Sequence, residues 1–153
     1  MTLYLDTSAV VKRYVSEPGS PDTVALTSAA EAVATSLVTR AEVAAALARA
    51  VRVGTLDNDG GRRAQRRFSQ DWPTLVKVPV TEALVFRAET LAWDHGLRGY
   101  DAVHLAAALT WRDAIGRDVI LATFDRQLWE AAPEVGLQPW PEGLGASSQT
   151  TSR

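Results

Sequence analysis

The sequence contains no cysteine. That excludes a disulfide framework and every thiolate metal site, and it fits a reducing compartment. No apolar run is long enough to span a bilayer, so no membrane association is expected. The stretch Met1-Thr2-Leu3-Tyr4-Leu5-Asp6 has no basic region and carries an acid at position 6, unlike a secretory signal. A cytoplasmic location is the expectation. Positive charge is also not in excess: the formal net charge is −2, which gives no global signature of a nucleic-acid binder. Lysine is scarce, with only Lys12 and Lys77. What remains is ordinary. A chain of 153 residues, 46% hydrophobic and 22% charged, suffices for one domain with its own core.

Charge is unevenly placed. Arg40, Arg49, Arg52, Arg62, Arg63, Arg66 and Arg67 crowd one part of the chain, offset there only by Glu42, Asp57 and Asp59. A mildly acidic protein can carry such a local basic surface for RNA. A solvated helix face explains the same pattern. Five tryptophans are many for this length. Tryptophan stacks on unpaired bases, but Trp111 and Trp129 read as core.

The hydrophobic pattern predicts alternating strands and helices. Thr2 to Asp6 reads as a buried strand, followed by a helix capped by Thr7 or Ser8 that stops near Pro18-Gly19. Pro21 suits the start of a second helix running to about Ala30. Ala32 to Leu37 reads as a strand, Val38 to Val53 as a helix closed by Gly54. Asp57 to Gly61 reads as a turn, Arg62 to Trp72 as a helix stopped by Pro73. Leu75 to Val80 is a short or edge strand, because Pro79 cannot donate to a ladder. Thr81 caps a helix with Leu84, Val85, Ala88, Leu91 and Ala92 on one face. His95 to Gly99 is a loop and Asp101 to Arg112 a helix. Asp118 to Phe124 is a buried strand, Asp125 to Ala132 a short helix, and Leu137 to Trp140 a final edge strand. From Glu142 the chain is rich in Gly, Ser, Thr and Gln, and a frayed tail over 142–153 is expected, leaving 1–141 as the domain. The alternation predicts a parallel sheet with helices on both faces.

Four acids stand at special places in this pattern. Singly, each has a local role. Asp6 and Asp125 can cap the helices that follow them, Glu42 can close a Thr39-x-x-Glu42 capping box, and Asp101 complements a helix dipole. Together they suggest more. Asp6 and Asp125 each follow a buried strand, so both fall at the carboxyl edge of a parallel sheet, where ligands bind. Asp101 begins a helix facing that edge, and Glu42 can reach it from the side. Four converging carboxylates repel one another. A hard divalent cation such as Mg²⁺ relieves that repulsion with oxygen ligands, and such a site suits phosphodiester hydrolysis.

The motifs themselves resemble those of a known family. Leu3-Tyr4-Leu5-Asp6-Thr7-Ser8-Ala9 looks like the opening motif of PIN domains and Thr39-Arg40-Ala41-Glu42 like their second. Tyr100-Asp101-Ala102-Val103-His104-Leu105-Ala106 is similar to the third, and Leu121-Ala122-Thr123-Phe124-Asp125 to the fourth. Their order and spacing resemble the VapC branch, the toxin half of VapBC toxin–antitoxin pairs, over nearly the whole chain to Trp140. The resemblance implies a doubly wound α/β fold and an endoribonuclease dependent on Mg²⁺ or Mn²⁺, with RNA as substrate. It also implies a homodimer and inhibition by a cognate VapB antitoxin. Asp6 and Asp101 match the principal metal ligands. Glu42 and Asp125 complete the catalytic acids, and Thr7, Ser8 and Thr123 match positions that support the carboxylates through hydrogen bonds. Water is the expected nucleophile.

His104 lies three residues after Asp101 on the same helix face, yet it reads as a packed or hydrogen-bonded histidine, since magnesium prefers oxygen. Three alternatives remain at this point. A strand-end-aspartate phosphatase needs a second acid two residues on, where Ser8 stands. A phosphate-receiver domain needs a late lysine, which neither Lys12 nor Lys77 supplies. A PIN-like binding module without catalysis would have no reason to keep four mutually repelling acids.

Overall fold

The structure, a computed structural model, describes residues 1–144. Most of the expected tail, residues 145–153, lies outside the described residues. Among the described residues five strands form one sheet: β1 (Thr2–Leu5), β2 (Ala32–Ser36), β3 (Val76–Val78), β4 (Ile120–Ala122) and β5 (Gln138–Trp140). Their order is β3-β2-β1-β4-β5, and every neighbouring pair is parallel. Among the described residues seven α-helices connect them: α1 (Thr7–Lys12), α2 (Ser20–Ala29), α3 (Thr39–Arg52), α4 (Asn58–Asp71), α5 (Glu82–His95), α6 (Gly99–Ile115) and α7 (Arg126–Glu134). No helix among the described residues is long and apolar enough to cross a membrane.

The period-two alternation of the strands sorts side chains to two cores. From β1, Leu3 and Leu5 join Val10, Val43, Leu47, Ala64 and Phe68 under α1, α3 and α4. Tyr4 faces the other way, with Leu91, Leu105, Ala108, Leu121 and Leu128 from α5, α6, β4 and α7. The sheet is therefore covered on both faces, which is why its central strands read as continuous apolar runs. Each fully buried leucine contributes about 1.5–3 kcal/mol to this packing.

Several expectations need correction. Asp6, not Thr7 or Ser8, caps α1 by accepting from the Ala9 N–H. The predicted Asp57–Gly61 turn is instead the first turn of α4, capped by the Asp57 carboxylate, which accepts from Gly60 N. Gly61 serves close packing: a Cβ there would lie 2.6 Å from Val51 Cγ2 of α3. The Thr39–Glu42 capping box does not form, because α3 has no side-chain cap. Thr39 Oγ1 pairs with Thr35 Oγ1 at 2.7 Å instead. The loop expected at His95–Gly99 shrinks to three residues between α5 and α6. Trp111 is buried as expected, but Trp129 is only partly buried, donating its indole N–H to the Pro141 carbonyl at 2.8 Å. β3 is short and lies at an edge, as Pro79 predicts, and β5 is the expected final edge strand.

Candidate active site

Strand order reverses between β1 and β4, and the chain leaves both strands at the same carboxyl edge. That crevice is where doubly wound folds bind ligands. Asp6 immediately follows β1, and Thr123, Phe124 and Asp125 immediately follow β4.

Asp6 is buried and held by three donors. Its Oδ1 accepts from Ser8 Oγ at 2.7 Å and Ala9 N at 3.0 Å, and its Oδ2 accepts from Thr123 Oγ1 at 2.6 Å. Burial nevertheless raises its pKa, outweighing the lowering by His104 and by these three hydrogen bonds. Ser8 and Thr123 each work in both directions. Ser8 Oγ accepts from Phe124 N at 2.9 Å and Thr123 Oγ1 from Asp125 N at 3.0 Å. These hydroxyls join the two strand ends and fix the Asp6 carboxylate between them.

Asp125 caps α7 through Oδ1, which accepts from Leu128 N at 3.0 Å. Its Oδ2 accepts from Arg98 Nη2 at 2.7 Å. The same guanidinium donates through Nε to Asp101 Oδ2 at 2.9 Å. Burial raises the Asp101 pKa and the Asp125 charge adds to it, against the lowering by Arg98 and His104.

Glu42 is reached from a different direction. Its Oε1 accepts from Thr7 Oγ1 at 2.8 Å and from His104 Nε2 at 2.7 Å. His104 is buried, and its Nδ1 lies 2.9 Å from the hydroxyl of the fully buried Tyr4. Burial pushes the Glu42 pKa up, but the His104 hydrogen bond and charge, with Thr7, pull it below the usual value. An ionised Glu42 can only accept, so Nε2 carries the proton. The line Tyr4–His104–Glu42 thus passes round the sheet edge from one core to the other.

The candidate residues meet as three linked groups rather than one ligand cage: Asp6 with Ser8 and Thr123, Asp101 and Asp125 with Arg98, and Glu42 with Thr7 and His104. Among the described residues, no three His, Cys, Asp or Glu side chains stand together as a ready metal site. The donor chemistry still fits a hard divalent ion, which takes one or two carboxylates and keeps several waters. Burial drives the pKa values of Asp6 and Asp101 upward, against the lowering by His104 at both and by Arg98 at Asp101.

Three of these residues were not read from the sequence as part of the site. Arg98 sits in a loop-like stretch with no motif of its own. Tyr4 reads as core, and the bonding partners of His104 lie 62 and 100 positions away. His95, without a partner in the sequence reading, bonds Glu134 at 2.8 Å. The arginines Arg62, Arg63, Arg66 and Arg67 are exposed on α4, where Arg67 lies over the Tyr14 ring at 5.8 Å.

The PIN domain family model matches residues 3–133. Ribonuclease VapC45 of Mycobacterium tuberculosis is 36% identical over 142 residues, covering 93% of this chain and 96% of that protein. Two solved structures share the fold. VapBC2 from Rickettsia felis, bound to a DNA fragment from its promoter, has a TM-score of 0.64 at 14% identity, covering 92% of this chain and 100% of that one. A toxin–antitoxin complex from Klebsiella pneumoniae has a TM-score of 0.61 at 19% identity, covering 86% and 92%. With the strand order, the strand-end acids and the matched span in agreement, the chain belongs to the PIN domain family, in its VapC branch.

Proposed function

We propose that this protein is a Mg²⁺-dependent endoribonuclease, with Mn²⁺ as a substitute, that acts in the cytoplasm as the toxin of a type II toxin–antitoxin pair. The observation that carries the reading is the pair of acids at the carboxyl edge of β1 and β4, where Ser8 and Thr123 tie Asp6 to the strand end that bears Asp125 and Arg98 joins Asp125 to Asp101. Similarity to a protein named a ribonuclease supports the reaction class, and similarity to toxin–antitoxin complexes supports the partner.

Asp6 and Asp101 would hold the ion. When bound, Mg²⁺ supplies Lewis acidity at the phosphate and lowers the pKa of water. The chain's own residues supply orientation. Ser8, Ala9 and Thr123 fix both oxygens of Asp6. Glu42, ionised and positioned by His104 and Thr7, would orient the attacking water by accepting its hydrogen bond. Asp125 is anchored by its own helix and completes the negative rim. The exposed arginines of α4 supply positive charge for the RNA backbone. Val85, Phe86 and Trp93 expose apolar surface along α5, which suits a homodimer or a VapB-like antitoxin.

The test is cleavage of total cellular RNA by antitoxin-free protein. Discrete fragments with Mg²⁺ that vanish with EDTA and in Asp101→Asn support the reading. Cleavage that survives both, or none under any condition, contradicts it, and the second result favours a PIN-like binding module.

A further inference from the structure

Arg98 holds the two acids at the outer rim of the site. Its guanidinium divides between them, with Nε 2.9 Å from Asp101 Oδ2 and Nη2 2.7 Å from Asp125 Oδ2. The Arg98 side chain is 72% exposed, while those of Asp101 and Asp125 are 15% and 22% exposed. The cation therefore lies on the solvent side of two half-sheltered carboxylates. Arg98 precedes α6 and gives it no side-chain cap, and Asp125 precedes α7. A cation beside two helix N-termini opposes both dipoles, so the carboxylates alone retain it. Exposed ion pairs of this kind are weak, and a guanidinium so open to water loses little packing on leaving.

We propose that Arg98 is a built-in competitor of the divalent ion. In the ion-free protein its guanidinium offsets part of the negative charge of Asp101 and Asp125. Ion entry at Asp101 displaces it, so Arg98 raises the free-ion concentration at which the site loads. This rests on the metal-ribonuclease reading and adds a threshold to it. A guanidinium that instead aligned Asp101 for the ion would have the opposite effect, because its removal would weaken binding.

The experiment is calorimetric titration of Mn²⁺ into full-length, antitoxin-free protein, wild type against Arg98→Gln, with thermal melting in EDTA and in Mn²⁺ alongside. Arg98→Gln is expected to bind Mn²⁺ about three- to tenfold more tightly. It should melt lower than wild type in EDTA and gain more on Mn²⁺ addition. Equal or weaker binding by the variant overturns the proposal while leaving the metal reading intact. No binding to either protein at millimolar Mn²⁺ overturns both.

Discussion

His104 Nε2 lies 2.7 Å from Glu42 Oε1, joining α6 on one face of the sheet to α3 on the other. The bond helps lower the Glu42 pKa against the effect of burial and gives a buried imidazole its partner. The other ring nitrogen meets the Tyr4 hydroxyl, so the three groups form one satisfied polar line through the protein. Breaking a fully satisfied network costs more than any one bond in it, because the remaining groups stay buried and unpaired.

His104→Ala should therefore destabilise the fold by about 2–4 kcal/mol, leaving the Tyr4 hydroxyl and Glu42 without their shared partner. Tyr4→Phe should cost about 1–2 kcal/mol. The double variant should cost less than the sum, since both changes break the same line. Urea unfolding of the four proteins measures this, and strict additivity would show that the line is not a unit.

Thr123→Val keeps the side-chain shape while removing the donor to Asp6 and the acceptor for Asp125 N–H. It should lower stability by about 1–3 kcal/mol and divalent-ion affinity by about 10- to 100-fold. Melting curves and Mn²⁺ titration of the variant separate the two effects.

The pH dependence of the ion-free protein should carry two opposite contributions. The folded-state pKa of Glu42 lies below the ordinary 4.5: burial raises it, but His104 and Thr7 lower it further. Its stabilisation is full above that ordinary value and lost as pH falls through the folded value. Asp6 has its pKa raised above 3.8 by burial. Ionising it costs stability, so its contribution declines as pH rises from 3.8 through the raised value. Denaturant unfolding in EDTA over about pH 3 to 7 should show the acid-side loss reduced in Glu42→Gln and the neutral-side loss reduced in Asp6→Asn. Unchanged profiles in both variants would remove these acids from the pH account.

Saturating Mg²⁺ or Mn²⁺ should raise the melting temperature by about 5–10 °C, as expected for an ion at roughly a hundred times its dissociation constant. The gain should shrink at lower pH, where protons compete for Asp6 and Asp101. Asp6→Asn should melt at or above wild type in EDTA and respond little to the ion. Differential scanning fluorimetry with and without EDTA measures both.

Much of the architecture was legible because strand and helix periods differ and because the acids follow apolar runs. β1 ends directly before Asp6 and β4 ends three residues before Asp125, so the crevice could be placed from the sequence alone. The errors share a cause. Gly60 and Gly61 read as a turn, whereas Gly61 provides room for Val51 in the helix pair α3–α4, a contact that exists only once the chain is folded. Thr39 and Glu42 have capping-box spacing, but Thr35, Thr7 and His104 offer them tertiary partners. Arg98 was missed for the same reason: one of its two acids is 27 positions away. Local pattern identifies which residues stand at the sheet edge, and tertiary contact decides what each one touches.

The most direct measurement is anomalous diffraction at the manganese edge from crystals grown with Mn²⁺. The account predicts a peak between the Asp6 and Asp101 carboxylates, with the Arg98 guanidinium withdrawn from Asp101. A peak elsewhere, or no peak from crystals of protein that cleaves RNA with Mn²⁺, would contradict the assignment of these acids as the metal centre.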